Sequence, residues 1–199
     1  MTALLIRLLV LGSLLAPGAT PAQQHLPANG LLLVAKPSLT DPHFSQTVVL
    51  VTQTDDSSTV GVIVNRPTVL KLSQFLSDEY PTGNYREPIY YGGPVMQQAL
   101  VSLFRSAVPP AAPAFHILKD VYLTMHPDNI ERLLKDVNAR YRIYAGFAGW
   151  VPRQLESEMM RDSWYFLPAD DETIFREKTD GLWQKLVEQA RRLGPRVSR

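Results

Sequence analysis

The sequence predicts a single α+β domain, with helices packed on a mixed or largely antiparallel sheet. Three observations carry that expectation. Short β-branched and apolar runs recur along the chain, and several come in pairs joined by a few turn residues. Apolar residues at clear helical spacing are confined to two stretches, near residues 127–137 and 182–193. Strands and helices therefore intersperse without the regular alternation that a parallel sheet requires. With 199 residues, 45% of them apolar and 20% charged, the chain is of a size and composition to bury one globular core.

The first 22 residues read as a secretory leader. Arg7 closes a short charged start, an apolar run covers 8–15, and Ala16, Pro17, Gly18, Ala19, Thr20, Pro21 and Ala22 supply small residues and breakers for cleavage after Ala22. The run is far short of the roughly 20 apolar residues that span a bilayer. The expected organisation is then a leader at 1–22, a flexible mature start at 23–29, the domain at 30–194 and a tail at 195–199. Location in the periplasm or secretion follows from it; a mis-called start would instead leave the protein in the cytoplasm.

Asn29 and Gly30 precede Leu31, Leu32, Leu33, Val34 and Ala35, a run too short for a helix and suited to a strand buried on both faces. Thr40, Asp41 and Pro42 then favour a turn, because Asp bonds the backbone ahead and Pro fixes φ. Residues 47–54 and 60–65 form a hairpin across Asp55, Asp56, Ser57 and Ser58. Asn65, Arg66 and Pro67 stop the second strand, one or two helical turns are expected within 70–76, and 80–88 reads as a loop. A short strand at 89–91 runs into Gly92, Gly93 and Pro94, where a tight backbone feature is expected.

Residues 100–104 form the next strand and 108–113 a proline-rich extended connector. A second hairpin joins 115–118 to 121–124. His126, Pro127 and Asp128 start a helix whose Ile130, Leu133, Leu134 and Val137 share a face. A strand over 141–145, a short helix over 154–160 and a strand over 164–167 follow. Leu182, Leu186, Val187, Ala190 and Leu193 then mark a C-terminal helix, whose terminal arginines suit its dipole and call for no ligand.

Composition excludes several functions. There is no cysteine, hence no disulfide, thiolate-bound zinc, iron–sulfur cluster, cysteine nucleophile or lipidated mature N-terminus. Lys and Arg number 20 against 19 for Asp and Glu, and removing the leader takes away Arg7 and no acid. The mature chain is thus formally neutral, which argues against nucleic acid as a partner.

Four ordered motifs carry a family resemblance. They are Pro37, Leu39, Asp41, Pro42 and Phe44; Gly61 through Pro67; Gly92, Gly93, Pro94 and Val95; and Gly146, Ala148, Gly149, Trp150, Gln154, Leu155, Glu156, Glu158, Trp164, Pro168, Ala169 and Phe175. Over about residues 30–183 the chain resembles the AlgH/YqgE family of bacterial proteins. The resemblance implies one α+β domain and supplies no reaction. It departs from the family pattern at Gln53 and Thr54, where many relatives carry Glu-His, at Phe104, near a position that is often His, and at Arg153, in place of a small residue. Some family members are named transcriptional regulators, but the chain shows neither a basic face nor a helix-turn-helix pattern.

Catalytic candidates are few. No Gly-x-Ser-x-Gly elbow or His-Glu-x-x-His helix occurs, no metal-ligand or cofactor motif is present, and the four histidines are scattered. His126 suits a helix cap. Trp150 and Trp164 suit core packing, and Glu156 and Glu158, two apart, do not share a helical face. Asp41, Asn65, Arg66, Gly92 and Gly93 stand at strand ends that can converge, and they form the candidate binding cleft. The sequence thus favours a binding module for an envelope protein or a small ligand over an enzyme. The alternatives are a transcriptional regulator, or a hydrolase of unrecognised type using Asp41 or His126.

Overall fold

The computed structural model describes residues 30–76, 88–176 and 178–194. The expected leader, the mature start, the tail and nearly all of the 80–88 loop lie outside these residues. Among these residues ten strands form one sheet: β1 Leu31–Ala35, β2 Val48–Gln53, β3 Thr59–Ile63, β4 Pro67–Lys71, β5 Pro88–Tyr91, β6 Val95–Arg105, β7 Phe115–Leu118, β8 Val121–Thr124, β9 Tyr141–Trp150 and β10 Trp164–Pro168. The helices are α1 Pro127–Lys135, α2 Gln154–Met160, α3 Asp171–Ile174 and α4 Leu182–Leu193.

The main path runs β10-β1-β2-β3-β9-β6-β8-β7, with β4 and β5 attached to it through β9. All pairings are antiparallel except β5 with β9. The α+β expectation is met, and both hairpins form where turn residues separate β-branched runs.

Alternation along each strand assigns side chains to faces. Leu32 and Val34 of β1 and Leu50 of β2 join Val101, Leu103, Ile117, Leu123 and Tyr144 in the central core, which α4 closes with Leu182, Leu186, Val187 and Ala190. Leu33, Ala35, Val49, Val51 and Ile63 face the other way, against Leu155 of α2, Trp150 and Trp164. Ile130, Leu133 and Leu134 of α1 cover Phe104, Tyr122, Tyr141 and Ile143.

Four boundaries differ from expectation. Residues 67–71 are a strand, and only Leu72–Gln74 make a single 3-10 turn. Pro67 is tolerated at a strand start, and Thr68 Oγ1 donates to the Ile89 carbonyl at 2.7 Å, tying β4 to β5. The strand beginning at Tyr141 continues to Trp150, through Gly146 in the left-handed region at φ 70°, because Ala148, Gly149 and Trp150 pair with β3. β6 starts five residues earlier than expected, across a bulge opposite that glycine. Val137 lies past the end of α1 and is exposed.

The four-residue α3 has no counterpart in the sequence reading. It is anchored from below by Arg142, a fully buried cation on β9. Its guanidinium donates to the carbonyls of Ile174 (3.0 Å) and Arg176 (2.9 Å) and lies over the Tyr90 ring at 4.4 Å.

Candidate functional site

Three of the five sequence candidates, Asp41, Asn65 and Arg66, meet at the turn between β1 and β2. Asp41 Oδ1 accepts the backbone N–H groups of His43 (2.8 Å) and Phe44 (3.3 Å), the side-chain-to-backbone pattern that made Asp-Pro a turn signal. Asn65, just past β3, clamps the same turn from across the sheet. Its Oδ1 accepts the Val48 N–H at 2.8 Å and its Nδ2 donates to the Gln46 carbonyl at 3.0 Å, holding Gln46 in the left-handed region at φ 57°. Arg66 donates to the carbonyls of His43 (2.7 Å) and Ser45 (2.8 Å), with a longer contact to Pro42 at 3.5 Å.

Tyr91, which sequence reasoning did not single out, completes the cluster. Its hydroxyl meets His43 Nδ1 at 3.2 Å, and the Arg66 guanidinium lies 5.9 Å from its ring centroid. Burial raises the Tyr91 phenol above its ordinary range, with Arg66 opposing and Asp41 reinforcing. Burial likewise lowers Arg66, against the pull of Tyr91 and Asp41. The phenol therefore stays protonated at neutral pH and offers a hydrogen bond rather than a base. Beside Asn65 and Arg66 a recess of about 280 Å³ opens toward Gly181 and Trp183 at the start of α4.

Gly92 and Gly93 stand one step along the chain from Tyr91, but their role is close packing. Gly92 donates its N–H to the Ala145 carbonyl (2.9 Å) and accepts from Ile63 (3.0 Å). A Cβ on Gly93 would fall inside the van der Waals envelope of the Phe147 backbone, and its φ of 153° is one that L side chains rarely adopt. Three of the five candidates thus build one turn, while the two glycines let β5 pass close to β9.

Behind the turn, Phe44 packs on Trp150 and Trp164 at ring-centroid distances of 5.6 and 5.7 Å. Both indoles are buried and donate to one oxygen of Glu158, at 3.1 and 2.8 Å, while Gln154 donates to the other at 3.1 Å. The four-residue spacing of Gln154 and Glu158 on α2 was the available signal for this acceptor.

His126 lies elsewhere. It caps α1, its Nδ1 accepting the Asp128 N–H at 3.3 Å, and it lines a groove of about 720 Å³ with Gln53, Asp55, Phe115, His116 and Met125. That groove opens at the far end of β2 from the Asp41 turn, about 17 Å away at the rise of a strand. Asp41 and His126 therefore cannot act together on one substrate atom. Among the described residues no three His, Asp or Glu side chains converge as metal ligands, and no helix is long and apolar enough to cross a membrane.

Residues 32–194 match the profile of a family described as AlgH-like. UPF0301 proteins of Myxococcus xanthus and Methylococcus capsulatus are similar to the chain at 33% identity over 155 residues and 34% over 157. Each alignment covers 76% of this chain, and 84% and 83% of the respective relative. The solution structure of the AlgH protein from Pseudomonas aeruginosa superposes with a TM-score of 0.65 at 27% identity, over 88% of this chain and 95% of that one. A crystal structure of a Corynebacterium diphtheriae protein gives 0.69 at 23% identity, over 84% and 89%, a likeness of fold alone.

Proposed function

Because the chain belongs to the AlgH-like family, which brings a fold and no reaction, we propose that it is an exported binding module of the bacterial envelope rather than an enzyme. The observation that carries this reading is the use to which the candidate polar groups are put. Asn65 and Arg66 direct their hydrogen bonds at backbone carbonyls and N–H groups of one turn. Asp41 organises that turn from within. What the turn leaves outward is a set of recognition groups, the His43 imidazole and the Tyr91 hydroxyl, beside a polar recess. Burial shifts the Tyr91 phenol upward, which keeps it a hydrogen-bond donor rather than a base.

Export is supported by the order of charge, apolar run and small residues in 1–22. Intact mass and fractionation of the protein expressed from its own start, followed by crosslinking in the envelope fraction, test the proposal. A periplasmic product beginning near Gln23 that captures a partner is the expected result. A full-length cytoplasmic product overturns export, and a periplasmic product that captures nothing counts against the binding role.

A further inference from the structure

The recess beside Asn65 and Arg66 gathers hydrogen-bond donors that the fold leaves unused. α4 starts on it, and the residue that caps this helix, Gly181, brings no side chain to the first turn. The N–H groups of Leu182 and Lys185 donate to the carbonyls of Thr179 and Gly181, both at 3.0 Å, whereas those of Trp183 and Gln184 have no partner among the described residues. The start of a helix carries about half a positive charge and holds an anion on such groups.

Thr179 points to a ligand independently of the helix. It lines the recess and is only 7% exposed, yet its hydroxyl meets no hydrogen-bond partner among the described residues. A buried hydroxyl left unpaired is destabilising, so this one is placed for an acceptor that enters from the recess. Ser45, half-buried in the same wall, gives its carbonyl to Arg66 and leaves its own hydroxyl without a partner among the described residues. The formal charges of the wall cancel: Arg66, whose Nη atoms already bond turn carbonyls, stands against the exposed carboxylate of Asp180. What attracts is therefore the helix start and the hydroxyls, a set suited to one negative charge rather than two. The Trp183 indole donates its Nε1 proton to the Ala35 carbonyl at 2.7 Å, so the ring surface that it adds to the recess is apolar.

We propose that this recess binds the carboxylate of a small organic monoacid, its oxygens on the Trp183 and Gln184 N–H groups and the Thr179 hydroxyl, its apolar body against the Trp183 ring. It rests on the reading of the domain as a binding module and names the ligand chemistry of that same site.

Sodium benzoate and its neutral isostere benzamide, titrated into the ¹⁵N-labelled protein expressed from its own start, test it. Benzoate shifts the amides of Trp183 and Gln184 and binds about ten-fold more tightly than benzamide, the ratio that one charge-assisted hydrogen bond supplies. Thr179→Val keeps the β-branched shape and weakens benzoate binding about five-fold. It does so without lowering the thermal midpoint, since the hydroxyl that it removes bonds nothing in the fold. Asp180→Asn, at an exposed position, tightens benzoate about two-fold. Inorganic phosphate, more highly charged and without an apolar body, binds more weakly than benzoate.

Equal affinity for benzoate and benzamide, amide shifts that miss Trp183 and Gln184, phosphate as tight as benzoate, or a folded Thr179→Val variant that binds benzoate like the parent overturns the proposal. Any of these in a periplasmic, partner-capturing protein removes the carboxylate assignment alone. A cytoplasmic full-length protein removes the envelope reading whatever benzoate does.

Discussion

Replacing Arg66 tests whether the candidate turn is held by the hydrogen bonds that the structure shows. Arg66→Met keeps the apolar stem and deletes two good charge-assisted bonds, at 2.7 and 2.8 Å, and a marginal one at 3.5 Å. Bonds from a charged donor contribute about 1.5–3 kcal/mol each, and the half-exposed setting argues for the low end, so the loss comes to about 3 kcal/mol. Arg66→Lys keeps the charge but replaces a planar fork with a single point, and it retains about half of the stabilisation. Urea unfolding followed by tryptophan emission reads both variants. At a slope of about 2 kcal/mol per molar, the methionine variant lowers the midpoint by about 1.5 M. Faster amide exchange at Phe44 and Ser45 accompanies that change. A methionine variant within about 0.5 kcal/mol of the parent refutes the reasoning. The turn carbonyls would then be satisfied by water, and Arg66 would be a surface cation available to a ligand.

Three further outcomes follow from the geometry. Gly93→Ala pushes a Cβ into the Phe147 backbone and costs about 3 kcal/mol or more, while Gly181→Ala, with open space around it at φ 71°, costs about 1 kcal/mol; thermal melts of the pair separate collision from backbone preference. Glu158→Ala leaves the buried indole N–H groups of Trp150 and Trp164 without their acceptor, lowering stability by about 2–4 kcal/mol and changing tryptophan emission, whereas Glu158→Gln loses about half as much. The Arg105 guanidinium bonds both oxygens of Asp120 at 2.8 Å and holds that carboxyl below its usual range. A lowered folded-state value means the stabilisation is present above the unfolded value and fades as pH falls through the folded one. The urea midpoint therefore declines below about pH 4, and Asp120→Asn flattens that decline.

Much of the fold was legible because its signals are local. β1 is a run of five apolar residues, the two hairpins carry their turn residues between β-branched runs, and α1 and α4 show their stripes. What escaped was set by partners distant in sequence. The polar start of β6, Met96 to Gln98, extends toward a strand that begins more than forty residues later, and β4 exists because β5 pairs with it. α3 is too short to announce itself, and its anchor Arg142 is of a residue type usually found in water. In the candidate site, Asp41 and Asn65 were readable as turn-forming types at strand ends. The meeting of His43 with Tyr91, 48 residues apart, depends on the parallel pairing of β5 with β9. Val137 misled for the opposite reason: its spacing fits the α1 stripe, but the helix ends at Lys135.

The shared edge of β9 governs the order in which this domain can be assembled. One side of that strand meets β6, and its other side serves β5 with Tyr144 and Ala145 and β3 with Ala148, Gly149 and Trp150. A nascent chain that has not reached residue 141 therefore carries three strand edges awaiting one keystone, and β1 waits still longer for β10. Such late, long-range closure makes folding slow and leaves truncated chains with sticky edges. Under the proposed export this order of pairing keeps the domain from closing until the last third of the chain has crossed the membrane.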